Sequence, residues 1–149
     1  MSKEHQADVI VVGAGQAGCA AAQDLAMAGL EVVVLDRAPD KVLKPCAGGI
    51  TMKSLHRYRF SLDSVARERH QQLHVSWNSR RRAAFDAGME MAVMTDRPEL
   101  DLFCRQQMQD AGATLIGSKN LKAIEQFEDG VRLKTDSGSY TGRWVVARA

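Results

Sequence analysis

The stretch DVIVVGAGQAGCAAAQDLAMAGLEVVVLDR, Asp8 to Arg37, constrains this chain more than any other feature. Val9 to Val12 is an apolar run without alternation, the pattern of a strand buried on both faces. It enters Gly13-Ala14-Gly15-Gln16-Ala17-Gly18 and then a run of small residues with helical spacing. Gly29 suits a left-handed helix cap, and Val32 to Leu35 gives a second buried-type strand ending at Asp36. The order is strand, glycine turn, helix, strand, which is the opening unit of a Rossmann-like α/β fold with a parallel sheet.

Each glycine has its own task. Gly13 permits a tight turn, Gly15 lets a pyrophosphate approach the backbone, and Gly18 lets the helix lie close to the sheet, with Ala22 keeping the same face small. Free N–H groups and the helix dipole favour an anion at the helix start, while a carboxylate closing the second strand can accept ribose hydroxyls. Asp36 lies eighteen positions after Gly18, the spacing that turns a bare GxGxxG into a dinucleotide fingerprint. The competing readings are a turn that binds nothing and an Asp36 that is only a surface acid. Arg37 suits a 2′-phosphate, but the neighbouring carboxylate repels one, so FAD or NAD fits better. The candidate cofactor-binding residues here are Gly13, Ala14, Gly15, Gln16, Ala17, Gly18, Asp36 and Arg37.

With 149 residues the chain can build one domain with a real core, and we expect residues 1–149 to act as a single FAD/NAD(P)-binding domain. The net charge of +2 says little, but Lys53 to Arg82 carries eight basic residues against two acidic ones. Arg80-Arg81-Arg82 lacks interleaved aromatics, so a solvated turn is expected rather than nucleic-acid binding. Cys19, Cys46 and Cys104 have neither metal-ligand spacing nor a paired framework, which points to a reducing compartment. His70 and His74 would share a helix face only if their segment were helical, and no metal site is expected. The short apolar run at Val9 is an internal strand rather than a signal peptide, and no window is long enough to span a membrane. A cytoplasmic protein is expected, with peripheral membrane contact left open.

Beyond Asp36, RAPDKVLKPCAGGI reads as a loop and TMKSLHRY as a short helix with Thr51 as N-cap. LHVSW and RAAF suggest a hairpin around Asn78-Ser79. In TDRPELDLFCRQQMQDAG, Asp96 and Glu99 make a capping-box-like start, Pro98 sits in the first turn, Leu100, Phe103 and Met108 form an apolar stripe, and Gly112 ends the helix. The final segment places Asp129-Gly130 and Ser137-Gly138 between β-type runs, a three-stranded β-meander whose last run, Trp144 to Ala147, is apolar enough to rejoin the parallel sheet.

The glycine stretch, together with KPCAGGI, RPELDLFCRQQMQDAGATL and the closing meander, resembles FAD-dependent oxidoreductases of the geranylgeranyl reductase type, within the wider group of flavoprotein hydroxylases. The KPCAGG element, Lys44 to Gly49, points to the reductase branch, with Ala47 standing where a glycine is common. The resemblance implies that Gly13, Gly15 and Gly18 meet the FAD pyrophosphate, Asp36 the adenosine ribose and Arg97 the phosphate or ribityl region. It places Cys46, the candidate catalytic residue, near the flavin ring and substrate. It further implies a small-molecule, isoprenoid substrate whose carbon–carbon double bond is reduced. Such proteins continue past VVARA with an Asp-Gly pair, a second FAD segment and a substrate-binding sheet, so this sequence reads as truncated before the substrate domain. Alone it is expected to self-associate or to bind a complementary C-terminal chain. Two other readings stay open: a non-catalytic nucleotide-binding module, and an NAD-linked dehydrogenase domain for which KPCAGG has no use.

Overall fold

A computed structural model describes residues 4–41, 46–118 and 120–147. In chain order the elements are β1 (Glu4–Val12), α1 (Gln16–Met27), β2 (Val32–Asp36), β3 (Gly49–Thr51), α2 (Met52–Leu55), β4 (Ala66–His70), β5 (Gln72–Trp77), β6 (Arg81–Asp86), β7 (Ala92–Thr95), α3 (Arg97–Asp110), β8 (Thr114–Gly117), β9 (Leu121–Phe127), β10 (Gly130–Thr135) and β11 (Ser139–Ala147). The chain divides into two compact units, Met1–Leu43 with Asp101–Ala149, and Lys44–Leu100.

The first unit holds a six-stranded sheet in the order β8-β2-β1-β11-β10-β9. β8, β2, β1 and β11 run parallel, and β10 and β9 extend the sheet antiparallel. The mixed α/β sheet is the one expected, and its parallel part has the strand order of a dinucleotide fold, third, second, first, fourth. Val32 to Leu35 are buried throughout, as the unbroken apolar run requires. Trp144 to Ala147 pair in parallel with Val9 to Val12, so the last run does rejoin the sheet. β1 begins earlier than its apolar run, because Glu4 to Ala7 pair with Ser139 to Gly142 and the His5 ring stacks on Tyr140 at 5.1 Å. Ile10, Val33, Leu35, Val131, Leu133 and Tyr140 make up much of one core cluster.

One turn differs from its expected position. Gly130 is already in β10, paired with Phe127, and Glu128 and Asp129 make the turn. A Cβ on Gly130 would stand 2.5 Å from the Gly142 carbonyl oxygen, so this glycine serves close strand approach instead of turning. Gly29 and Gly112 do take positive φ (85° and 107°) just past α1 and α3, as helix-ending glycines should.

The second unit contains a three-stranded antiparallel sheet, β3-β7-β4, and the two-stranded hairpin β5-β6. Ile50, Leu62, Val65, Val93 and Leu100 are its buried apolar residues among those described. Asn78 and Ser79 both take positive φ, 49° and 56°, and the Arg80 N–H closes on the Trp77 carbonyl at 3.1 Å. That left-handed pair is the turn that fits a twisted hairpin. Arg80 to Arg82 are exposed there. His70 and His74 lie on strands, so no helix face unites them, and His70 instead meets Glu68 at 3.1 Å. Thr51 ends β3 and its hydroxyl reaches the Ser54 hydroxyl at 3.3 Å without capping α2. Among the described residues no helix is long and apolar enough to cross a membrane, and no cluster of three potential metal ligands occurs.

Candidate functional site

The glycine turn sits where β1 hands over to α1. Gly13 has φ 102°, and its N–H donates to the Leu35 carbonyl at 2.7 Å, tying the turn to β2. A Cβ on Gly18 would fall 1.9 Å from the Gly13 carbonyl oxygen, a backbone collision that makes this glycine obligatory for the fold. At Gly15 a Cβ would meet nothing within 4 Å. The fold alone therefore does not demand Gly15, and the open space in front of it suits a ligand that must touch backbone. Gly15 is also the N-cap of α1, with no side-chain cap and no acidic residue in the first turn. That end of the helix keeps its positive character for an incoming anion. Gly15 and Ala17 are exposed, Ala14 is fully buried, and the Gln16 amide donates to Asp101 at 3.3 Å.

Asp36 closes β2 beside this turn. Its Oδ2 accepts the Ala14 N–H at 2.7 Å and its Oδ1 accepts the Ala38 N–H at 2.8 Å. A carboxylate offers about four lone-pair positions, so acceptor capacity remains for a further donor. The side chain is 16% exposed, turned from bulk water without being sealed. A cavity of about 310 Å³ opens here, lined by Val12, Gly13, Leu35, Asp36, Arg37, Ser118, Leu121 and Thr135. It lies at the carboxyl ends of β1 and β2, where doubly wound sheets bind their ligands.

Cys46, Gly48, Thr95 and Arg97 come together within the second unit. Thr95 donates to the Gly48 carbonyl through both its N–H (3.0 Å) and its hydroxyl (2.8 Å). Gly48 has φ 76°, and a Cβ there would strike the Thr95 carbonyl oxygen at 1.9 Å. Those bonds bring CAGG against the start of the RPE segment. Cys46 is exposed, and hydrogen bonds from the Gly48 N–H and then the Arg97 side chain hold its thiol below the ordinary pKa. By contrast, burial pushes the Cys19 thiol up to about 12, with Cys104 adding to the effect. Lys44 and Pro45 of the KPCAGG element lie outside the described residues.

Sequence reasoning missed Arg105 and Asp101, which are 6% and 5% exposed. Arg105 donates through Nε to the Ala14 carbonyl at 3.1 Å and through Nη1 to the carbonyls of Ala38 (2.9 Å), Pro39 (2.5 Å) and Lys41 (3.2 Å). Its Nη2 stands 3.6 Å from Asp36 Oδ1. The signal was present: two opposite charges four residues apart share the helix face of Leu100, Cys104 and Met108. The expected stripe partner Phe103 is only half-buried, while Cys104 is buried.

Residues 6–146 match the family described as FAD binding domain. The chain belongs to that FAD-binding family. Over 119 residues it is 33% identical to the chloroplastic geranylgeranyl diphosphate reductase of Arabidopsis thaliana, covering 76% of this chain and 25% of that protein. A menaquinone reductase of Mycobacterium tuberculosis is 49% identical over 55 residues, 37% of this chain and 14% of its own. Among solved structures, a geranylgeranyl bacteriochlorophyll reductase-like protein from Thermoplasma acidophilum superposes with TM-score 0.81 at 20% identity, over 97% of this chain and 39% of that one. The halogenase PltM, in complex with phloroglucinol and FAD, gives 0.69 at 19%, over 96% and 34%. The chain thus spans between a quarter and two fifths of the Arabidopsis and Thermoplasma proteins. FAD is the cofactor of this family, and the open face of Gly15, the uncapped start of α1 and the spare acceptor capacity of Asp36 fit its adenosine diphosphate half.

Proposed function

We propose that this chain is the FAD-binding part of a flavin-dependent oxidoreductase that reduces a carbon–carbon double bond of an isoprenoid. The observation that carries the cofactor half of this reading is the juxtaposition of Gly15, open to ligand, with Asp36, whose carboxylate retains acceptor capacity. In this reading the N–H groups from Gly15 to Gly18 hold the pyrophosphate, the Gly13 and Ala14 N–H groups being used within the fold, and Asp36 meets the adenosine ribose. Ala14 serves by giving its N–H to Asp36 and so orienting it. Gln16 and Ala17 offer the first helical N–H groups, and Arg37 borders the cavity beside Asp36.

Bound flavin in its reduced form would supply the hydride, and the chain would supply position and a proton inventory. Arg97 is assigned to the phosphate or ribityl region and Cys46 to the neighbourhood of the ring, where a thiol kept acidic by Gly48 and Arg97 can hold or release a proton at Sγ. The likeness to relatives named for geranylgeranyl diphosphate and menaquinone supports the substrate class of this reading. Both units are taken as parts of one FAD-binding domain, residues 1–149. Cytoplasmic localisation, with peripheral contact to a membrane that supplies the isoprenoid, belongs to the same reading.

The test is titration of the purified chain with FAD, followed by flavin fluorescence and the visible spectrum, with NAD in parallel. Saturable binding of FAD in preference to NAD is the expected result. No flavin binding by a folded chain would overturn the assignment of this site.

A further inference from the structure

We propose that Arg105 is a positioning residue for the adenosine diphosphate half of FAD, fixing the glycine turn, Asp36 and the loop after β2 in the arrangement that half requires. The proposal rests on the FAD reading above and adds a residue that touches no ligand. Arg105 is buried on α3, and a buried guanidinium is costly unless its donors are all used. Its fork joins two stretches of chain far from α3 in sequence: the carbonyl of Ala14 in the turn, and Oδ1 of Asp36 at the end of β2 with the carbonyls of Ala38, Pro39 and Lys41 that follow it. The turn and Asp36 must grip neighbouring parts of one ligand, the pyrophosphate and the ribose. Ala14 is held from both sides, its carbonyl by Arg105 and its N–H by Asp36. Asp36, Ala14 and Arg105 thus close a ring of polar contacts in which moving one member moves the others. A buried ring of this kind is stiff, and stiffness before binding lowers the ordering cost of the bound state.

Lysine is the informative replacement. It keeps the charge near Asp36 but presents one compact ammonium where the guanidinium presents a planar fork. Arg105→Lys is expected to weaken FAD and ADP-ribose by the same factor, about tenfold, the equivalent of one hydrogen bond to a charged group. Equal loss for both ligands locates the effect on their shared half.

A residue that merely supports the fold would lower affinity whatever Asp36 does. The second arm therefore repeats Arg105→Lys in an Asp36→Asn background, where a residue acting through Asp36 should cost no more than about threefold further. Arg105→Gln, which buries no charge, carries the same cycle if the lysine variant does not fold. Unchanged FAD affinity in the folded variants, or the full tenfold loss repeated in the Asp36→Asn background, would overturn the proposal. Failure of the unaltered chain to bind either ligand would instead overturn the site reading on which it rests.

Discussion

The β1-α1-β2 segment and the β5-β6 hairpin are both strand pairs formed close together in the chain, one joined through a helix and one through a two-residue turn, yet they end in opposite environments. In β2 every residue from Val32 to Leu35 is buried, whereas every residue of β5 and β6 is exposed. The hairpin register puts Leu73 opposite Phe85, Val75 opposite Ala83 and Trp77 opposite Arg81, so the large apolar side chains share one face. Backbone pairing completes itself locally in a hairpin, but burial needs a second layer. α1 supplies that layer to the first segment because Gly18 and Ala22 let it approach. Nothing among the described residues does the same for Trp77, which is 72% exposed.

The largest expected effect lies at the point where helix meets turn. Gly18→Ala should gain about 1 kcal/mol of helix propensity and lose more, about 3 kcal/mol, to overpacking against the Gly13 carbonyl. Urea unfolding measures the difference, and a neutral result would mean that the turn yields easily and that close packing is not what separates the two regions. Gly15→Val tests the other half of the motif. With nothing within 4 Å of its Cβ, it should cost the fold no more than about 1 kcal/mol as a poorer N-cap. FAD affinity should fall on the order of a hundredfold, since the new side chain fills the path of the pyrophosphate. Two glycines three residues apart would then be separated into one kept for the fold and one kept for the ligand.

How much of this was legible beforehand follows the same division. Periodicity and punctuation located β1, α1, β2, α3, the hairpin and the meander, because each carries a local signal: an apolar run, a cap, a left-handed turn. The Glu99 N–H donating to Asp96 at 3.2 Å is the cap that the spacing implied. What stayed hidden depended on distant partners. Gly130 looks like a turn glycine until β11 is seen to pass over it, and β4 and β7 have no pattern that separates them from loop. Arg105 looks like a surface charge until the carbonyls it serves, residues 14 to 41, are brought to it. Asp36 was readable as a strand-end acid. Its bonds to Ala14 and Ala38 were not, and they mean that Asp36→Asn is a gentler probe than removal of the side chain.

A smaller effect is expected in the second unit. Arg97 favours the Cys46 thiolate by hydrogen bond and by charge, so Arg97→Met should raise the thiol pKa. The labelling rate of Cys46 with a thiol reagent then rises at higher pH than in the unaltered chain, while Gly48 keeps part of the effect. Cys19 and Cys104, both buried, should label slowly at neutral pH in either protein. Coincident pH profiles for the two proteins would show that Arg97 does not activate the thiol, and would remove the electrostatic basis of the Cys46 assignment.

The smallest effect is the one that tests the comparison most directly. Truncating a tryptophan inside a core costs about 3–5 kcal/mol, and exposed substitutions stay within about 0.5 kcal/mol. Trp77 stands on the apolar face of the hairpin but is largely in solvent, so Trp77→Ser should fall in the second class when unfolding is followed by urea. Its loss should change the stability of the unit far less than Gly18→Ala changes that of the sheet and α1. Measuring both variants over a range of protein concentrations adds a second reading. If the destabilisation reaches about 2 kcal/mol and grows with concentration, the face is covered by another copy of the chain, since association stabilises by mass action. If it is large and independent of concentration, the hairpin is buried within the monomer and its contrast with β2 disappears. A small, concentration-independent change keeps the two regions distinct: one buried by its own helix, the other paired but bare.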